Sequence, residues 1–135
     1  MMLERTGAHT VEDRSAGFVI REAFPHWLDY EEGRTVVRFA AEMTGPASPY
    51  AIILYFGPES LRPRPSHAAE EPARQREIVT RVTAALALLR ITPLWSGGPP
   101  DRAPALWGEY WRDVYAEALS RVAAQMPPWP PAATP

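Results

Sequence analysis

Cysteine and lysine are both missing from this chain, and each absence removes chemistry. Without cysteine there is no disulfide, no thiol nucleophile, no iron–sulfur ligation and no thiolate zinc site. Without lysine there is no Schiff base and no Walker A loop; all 14 basic side chains are arginine. No apolar run approaches the roughly 18 residues that a membrane-spanning helix needs. Residues 1–13 are polar and lack the apolar segment of a signal peptide, so the expected location is cytoplasmic and no membrane partner is expected. A net charge of −2 supplies no global field for nucleic acid. The G-x-S-x-G, G-x-G-x-x-G, H-E-x-x-H and EF-hand patterns are absent.

Proline is abundant instead. Sixteen prolines in 135 residues punctuate the chain and make its boundaries legible. The most apolar stretch is Tyr50–Phe56, followed by Gly57-Pro58. It reads as a strand with apolar residues on both faces, and so as the central strand of a sheet. Before it, Phe18–Phe24 reads as a strand ending at Pro25, with a continuation past a bulge over His26–Tyr30. Glu31–Arg34 is a turn, and Thr35–Met43 is the return strand, with Val37, Phe39, Ala41 and Met43 facing inward. After a long connection, a helix starts at Pro72, where a missing N–H is harmless. Its stripe is Ile78, Val79, Val82, Ala85, Leu86 and Leu89, and Pro93 ends it. Residues 92–104 read as a loop. Asp101 is the expected N-cap of a second helix reaching Gln125. The expected fold is therefore α+β: a small three-strand antiparallel meander followed by two amphipathic helices packed on one face. Residues 1–16 are expected to be loosely ordered, 17–126 to form one domain, and 127–135 a Pro-rich tail.

The residues that could carry chemistry do not assemble into a motif. His9, His26 and His67 lie in different segments, so no metal site and no cofactor is expected. His26 with Asp29 and Glu31 is a conceivable base at a strand bend, but no nucleophile accompanies it. Ser96-Gly97-Gly98 resembles an anion approach in outline, yet prolines remove donors there and Asp101 would repel the anion. Arg62, Arg64, Arg74, Arg76 and Arg81 cluster, but four glutamates between residues 59 and 77 dilute them, which argues against nucleic acid. Glu109, Asp113 and Glu117 make an acidic ridge on the second helix, ordinarily a solvated face.

No catalytic constellation is visible. The expected function is a small non-enzymatic protein-binding module of accessory, inhibitor or immunity type. It would act through an apolar and aromatic surface, with Trp95, Leu106, Tyr110 and Trp129 as contact candidates. The alternative is a small enzyme or ligand-binding protein. Its pocket would lie between sheet and helices, lined by His26, Trp27, Tyr55, Trp107 and Trp111. A doubly apolar strand in so short a chain also predicts a homodimer.

Overall fold

Alternation of apolar and polar residues builds most of this fold, strand by strand. The computed structural model describes residues 2–23, 27–44, 52–56 and 71–125. The strands are β1 (Glu4–Gly7), β2 (Thr10–Asp13), β3 (Phe18–Ala23), β4 (Trp27–Glu32), β5 (Thr35–Met43), β6 (Ile52–Phe56) and β7 (Pro93–Gly97). They form one seven-stranded sheet in sequence order. Every neighbouring pair is antiparallel except β6 and β7, which are parallel. Helix α1 (Pro72–Leu88) makes the crossover between those two, and helix α2 (Trp107–Val122) follows β7 after a short 3-10 turn.

The three-strand meander is thus corrected to a mixed seven-stranded sheet, for three local reasons. Residues 4–13, expected to be loose, form a hairpin that adds to β3; Leu3, Val11 and Asp13 are buried by it. Residues 27–32 do not continue β3 past a bulge; they turn back and pair with it, Ala23 opposite Trp27. Pro93–Gly97 is a strand, because Pro93 sits at its first position, where a missing donor is tolerated. The strand after residue 51 is internal, with β5 on one side and β7 on the other, but it lies next to the edge strand and not at the middle of the sheet.

One sheet face is apolar throughout. Phe18, Ile20, Leu28, Tyr30, Val37, Phe39, Ile52, Leu54 and Phe56 are all buried there under the helices. Met43 shares that face by alternation but lies at the strand end and is 64% exposed. Ile53 points to the opposite face, because Ile52 and Leu54 point in.

Helix α1 is buried nearly all round from Ile78 to Ala87. Its predicted stripe meets the sheet, and small side chains at Thr80, Thr83, Ala84 and Ala87 let neighbours approach the rest. Both threonine hydroxyls donate back to backbone carbonyls one turn earlier, at 2.7 Å, which removes the penalty of burying them. The helix closes in a Schellman arrangement: Ile91 N–H donates to Leu86 O and Arg90 N–H to Ala87 O, with Arg90 at φ 62°. Asp101 does not cap α2. The helix starts later, after Pro104–Leu106, and buries Tyr110, Val114, Ala118 and Val122.

Candidate functional site

Two hollows and one bare sheet face are the candidate sites among the described residues. The first hollow, of about 430 Å³, is bounded by Asp13, Ser15, Ala16, Glu77, Arg81 and Arg121. Its charges are paired with one another. Arg81 Nη1 donates to Tyr30 Oη at 2.7 Å and to Glu32 Oε1 at 2.9 Å, and Arg81 Nε donates to Glu77 at 3.0 Å. Arg74 also donates to Glu32. Arg121 forks onto Glu77 at 2.7 and 3.0 Å and reaches Glu117 at 2.7 Å. The Arg121 fork is the largest influence on Glu77, and it holds that carboxyl below its ordinary value against the opposing effect of burial. Burial alone would raise Glu32, but hydrogen bonds from Tyr30 and Arg74 outweigh it and lower the carboxyl. Tyr30 is pushed up to about 12, first by burial and then by its bond to Glu32.

Asp13 is equally committed. Burial would raise it, but its oxygens accept from Ala16 N–H at 2.9 Å, Ser15 Oγ at 2.7 Å and Met2 N–H at 3.1 Å, and the carboxyl is held down. It fixes the β2–β3 turn, in which Gly17 has φ 80°. This hollow is the polar seam that joins β4, α1 and α2. A group that must accept or release a proton cannot be held by so many partners in one charge state.

The second hollow, of about 410 Å³, lies where β7 meets α2. Thr92, Pro93, Leu94 and Trp95 form one wall; Gly108, Trp111, Arg112 and Tyr115 form the other. Its floor is rigid. Trp95 stacks on Trp111 with ring centres 4.9 Å apart and donates its Nε1–H to Thr83 Oγ1 at 3.0 Å. Trp111 donates to Gly97 O at 2.6 Å and meets Phe56 edge-on at 5.6 Å. Its lining among the described residues holds no carboxylate and no histidine. Beside the hollow runs the outer edge of β7, which no described residue pairs with. The two sheet edges differ. Edge strand β1 carries Glu4 and Arg5 and a register shift between Arg5 and Gly7; β7, Pro-Leu-Trp-Ser-Gly, carries no charge. Charges, bulges and proline are the usual protections of an edge; β7 has no charge and no bulge, and only Pro93 at its first position.

The third feature is the sheet face that the helices leave bare. In register across it run Trp27, Ala40, Tyr55 and Ser96, and beside them Glu42, Ile53 and Leu94. Trp27, Tyr55 and Leu94 are 44%, 37% and 38% exposed. The rest of the face is charged but paired: Arg21 with Glu31 at 2.6 Å, and Arg38 with Asp29 at 2.8 and 2.9 Å. The Arg38 guanidinium also lies 5.5 Å from the centre of the Trp27 ring.

The residues singled out from sequence fall in different places. Trp95 and Tyr110 are buried; Tyr110 offers no free contact surface, and Trp95 shows only the part of its ring that lines the second hollow. Tyr110 lies under Arg76 and Arg102, whose guanidinium carbons are 5.4 and 5.0 Å from its ring centre. Its hydroxyl is the one buried side-chain polar atom without a hydrogen bond among the described residues. Leu106 is 49% exposed at the start of α2. The pocket expected from Trp27, Tyr55, Trp107 and Trp111 does not assemble, because Trp27 and Tyr55 are on the bare face and the other two are on the helix side. Trp107 instead pins its own loop, donating to Pro99 O at 3.1 Å and Arg102 O at 3.2 Å. His26 and Trp129 lie outside the described residues. The acidic ridge is partly neutralised: Glu117 by Arg121 and Arg76, and Glu109 by Arg112 at 3.7 Å.

Leu94, Gly108, Arg112 and Tyr115 were not singled out from sequence as site residues. Tyr115 shares the apolar periodicity of α2, and only its place at the margin of the buried stripe separates it from the core. Among the described residues no three His, Asp or Glu side chains come together as metal ligands, and no helix is long and apolar enough to cross a membrane. Comparison with family models, curated proteins and solved structures finds nothing that matches this chain.

Proposed function

We propose that this chain is a protein-binding module that takes up an extended segment of another protein along β7, by strand addition, with alternate side chains of that segment seated in the groove against α2. The observation that carries this is an uncharged edge strand, unpaired by any described residue, directly beside an apolar aromatic groove. Strand addition needs both parts: main-chain groups at an edge for affinity, and pockets at two-residue spacing for specificity. Trp95 and Trp111 supply a floor that costs no ordering when the segment arrives, because both rings are already stacked and hydrogen-bonded. The lining holds no acid–base pair, which favours binding over catalysis.

Selection of short displayed peptides against the full chain tests the proposal. The expected result is convergence on segments with alternating apolar residues. Amides of residues 94–97 should become protected from exchange on binding, and Tyr115→Glu should weaken affinity by about tenfold or more. Peptides that bind without protecting β7, or that ignore Tyr115→Glu, would overturn it. A second reading, a small apolar molecule in the same groove, is favoured by its volume of about 410 Å³. Such a ligand would respond to Tyr115→Glu without pairing with the β7 backbone.

A further inference from the structure

Helix α2 carries a glycine that its own fold does not require. Gly108 is the second residue of the helix, its φ is not positive, and a Cβ built on it would meet no neighbouring described atom within 4 Å. Gly97 and Gly98 differ, because a Cβ there would strike Phe56 O and the Trp107 ring. Glycine within a helix is unfavourable relative to alanine, and neither a left-handed turn nor a close contact within the described chain calls for it at 108. We infer that Gly108 is the seat of an aromatic side chain of the bound segment. This rests on the groove reading above and names the residue that selects its ligand.

Gly108 stands in the wall of the groove with Trp111, Arg112 and Tyr115. Those three follow it at i+3, i+4 and i+7 and so share its face of α2. Three of the four wall positions carry large side chains, and at the fourth the helix backbone is bare. A segment lying between β7 and α2 can bring a bulky side chain up to the helix there. Close approach of a ligand to backbone is a use to which only glycine is suited.

Charge selects the kind of side chain. Arg112 is the only charged residue of the lining among the described residues; its side chain is 72% exposed, and Glu109 lies 3.7 Å from it. A cation seated here would meet Arg112, and a carboxylate would meet Glu109. An aromatic ring offers a face to the guanidinium and meets Trp111 without bringing charge. The chain already shows this pairing on the buried side of the same tryptophan. Tyr110 makes a T-shaped contact with Trp111 at 4.8 Å, under the guanidinium groups of Arg76 and Arg102.

Spacing then constrains the next side chain. At 1.5 Å per residue, Arg112 stands about 6 Å and Tyr115 about 10.5 Å along the helix from Gly108. Same-face side chains of an extended segment recur about every 6.6 Å. With a ring over Gly108, the next one arrives beside Arg112 and short of Tyr115. Both are large, so the ligand is a segment with an aromatic residue and a small residue two positions apart.

A random peptide library displayed against the full chain supplies the probe. The selected peptides should carry that aromatic and small pair. Gly108→Leu fills the seat and should weaken the tightest peptide by about tenfold or more. Replacing the peptide's aromatic residue by alanine should lose a similar factor against the parent chain and almost nothing against Gly108→Leu, because both changes remove one contact. Gly108→Ala should weaken binding less and leave the melting temperature unchanged or higher. Peptides that protect amides 94–97 and respond to Tyr115→Glu, yet ignore Gly108→Leu, overturn this inference and leave the groove reading standing. So does a cycle in which the two losses simply add. Finding no peptide that protects those amides overturns both. A melting temperature lowered by Gly108→Ala overturns this inference alone, since the glycine would then serve the fold.

Discussion

At the scale of single residues, close contacts decide what can change. A Cβ on Gly98 would lie 2.3 Å from the Trp107 ring, and one on Gly97 would lie 2.4 Å from Phe56 O at a φ of 88°. Gly97 holds the close approach of β7 to the β6 backbone, and Gly98 that of the following loop to Trp107 at the start of α2. Gly98→Ala should displace Trp107 and cost about 1–3 kcal/mol, read as a lower melting temperature. Tyr110 is the opposite case. Its buried hydroxyl has no partner, so Tyr110→Phe should raise stability by about 1 kcal/mol, and an unchanged or lower melting temperature would mean that the hydroxyl is satisfied after all. Leu86, 1% exposed in the last turn of α1, should cost about 2–5 kcal/mol when truncated to alanine in urea unfolding.

At the scale of elements, the N-terminal hairpin and the polar seam are the informative parts. Strands β1 and β2 bury Leu3 and Val11 and cover the edge of β3. Gln125 reaches across from the turn after α2 and clasps Leu3, accepting from its N–H at 2.9 Å and donating to its carbonyl at 2.6 Å. Deleting residues 2–13 should therefore lower unfolding stability by about 3–6 kcal/mol, from the two apolar side chains alone. A merely loose segment would be removable without effect.

The seam between β4, α1 and α2 sets the response to pH. Glu32 and Glu77 titrate below their ordinary value in the folded chain, so the fold favours their ionised forms. That contribution is full above the unfolded carboxylate value of about 4.3 and is lost as the pH falls through the lower folded values. Tyr30 is raised to about 12, so the fold favours its neutral form. Its contribution is full below the unfolded phenol value, near 10, and is lost as the pH climbs through the folded one. The melting temperature should be flat near neutrality and fall on both sides. Glu77→Gln should lower the plateau and flatten the acid limb, and an unchanged acid limb would remove Glu77 from the account.

At the scale of the whole molecule, the layers determine where binding can occur. Helix α1 lies buried between the sheet and its neighbours, α2 lies beside it, and the far face of the sheet has no cover within the described chain. The groove and the bare face are consequences of that layout. A seventh strand added to one side of the sheet moves an edge next to α2, and two helices placed on one side leave the other to solvent or to a partner.

Local pattern was enough for part of this. Strand β5 and the start of α1 stand where alternation and Pro72 place them, because side-chain period and a ring-locked φ act within a few residues. Of the expected stripe, Ile78, Val79, Val82, Ala85 and Leu86 are buried for the same reason, and Leu89, the C-cap beyond the helix end, is only partly buried. Tertiary structure decided the rest. Strands β1, β2 and β7 are short and polar, or begin with proline, and they become strands because a neighbour offers a ladder and a core to cover. Trp95 reads as a loop anchor in one dimension, yet it is buried because Trp111, sixteen positions later, supplies the facing ring. The groove is made from residues 92–95 and 108–115, joined only when α2 folds back beside β7. Periodicity reports which side of an element is apolar, and only the packing of elements reports which of those sides is left uncovered.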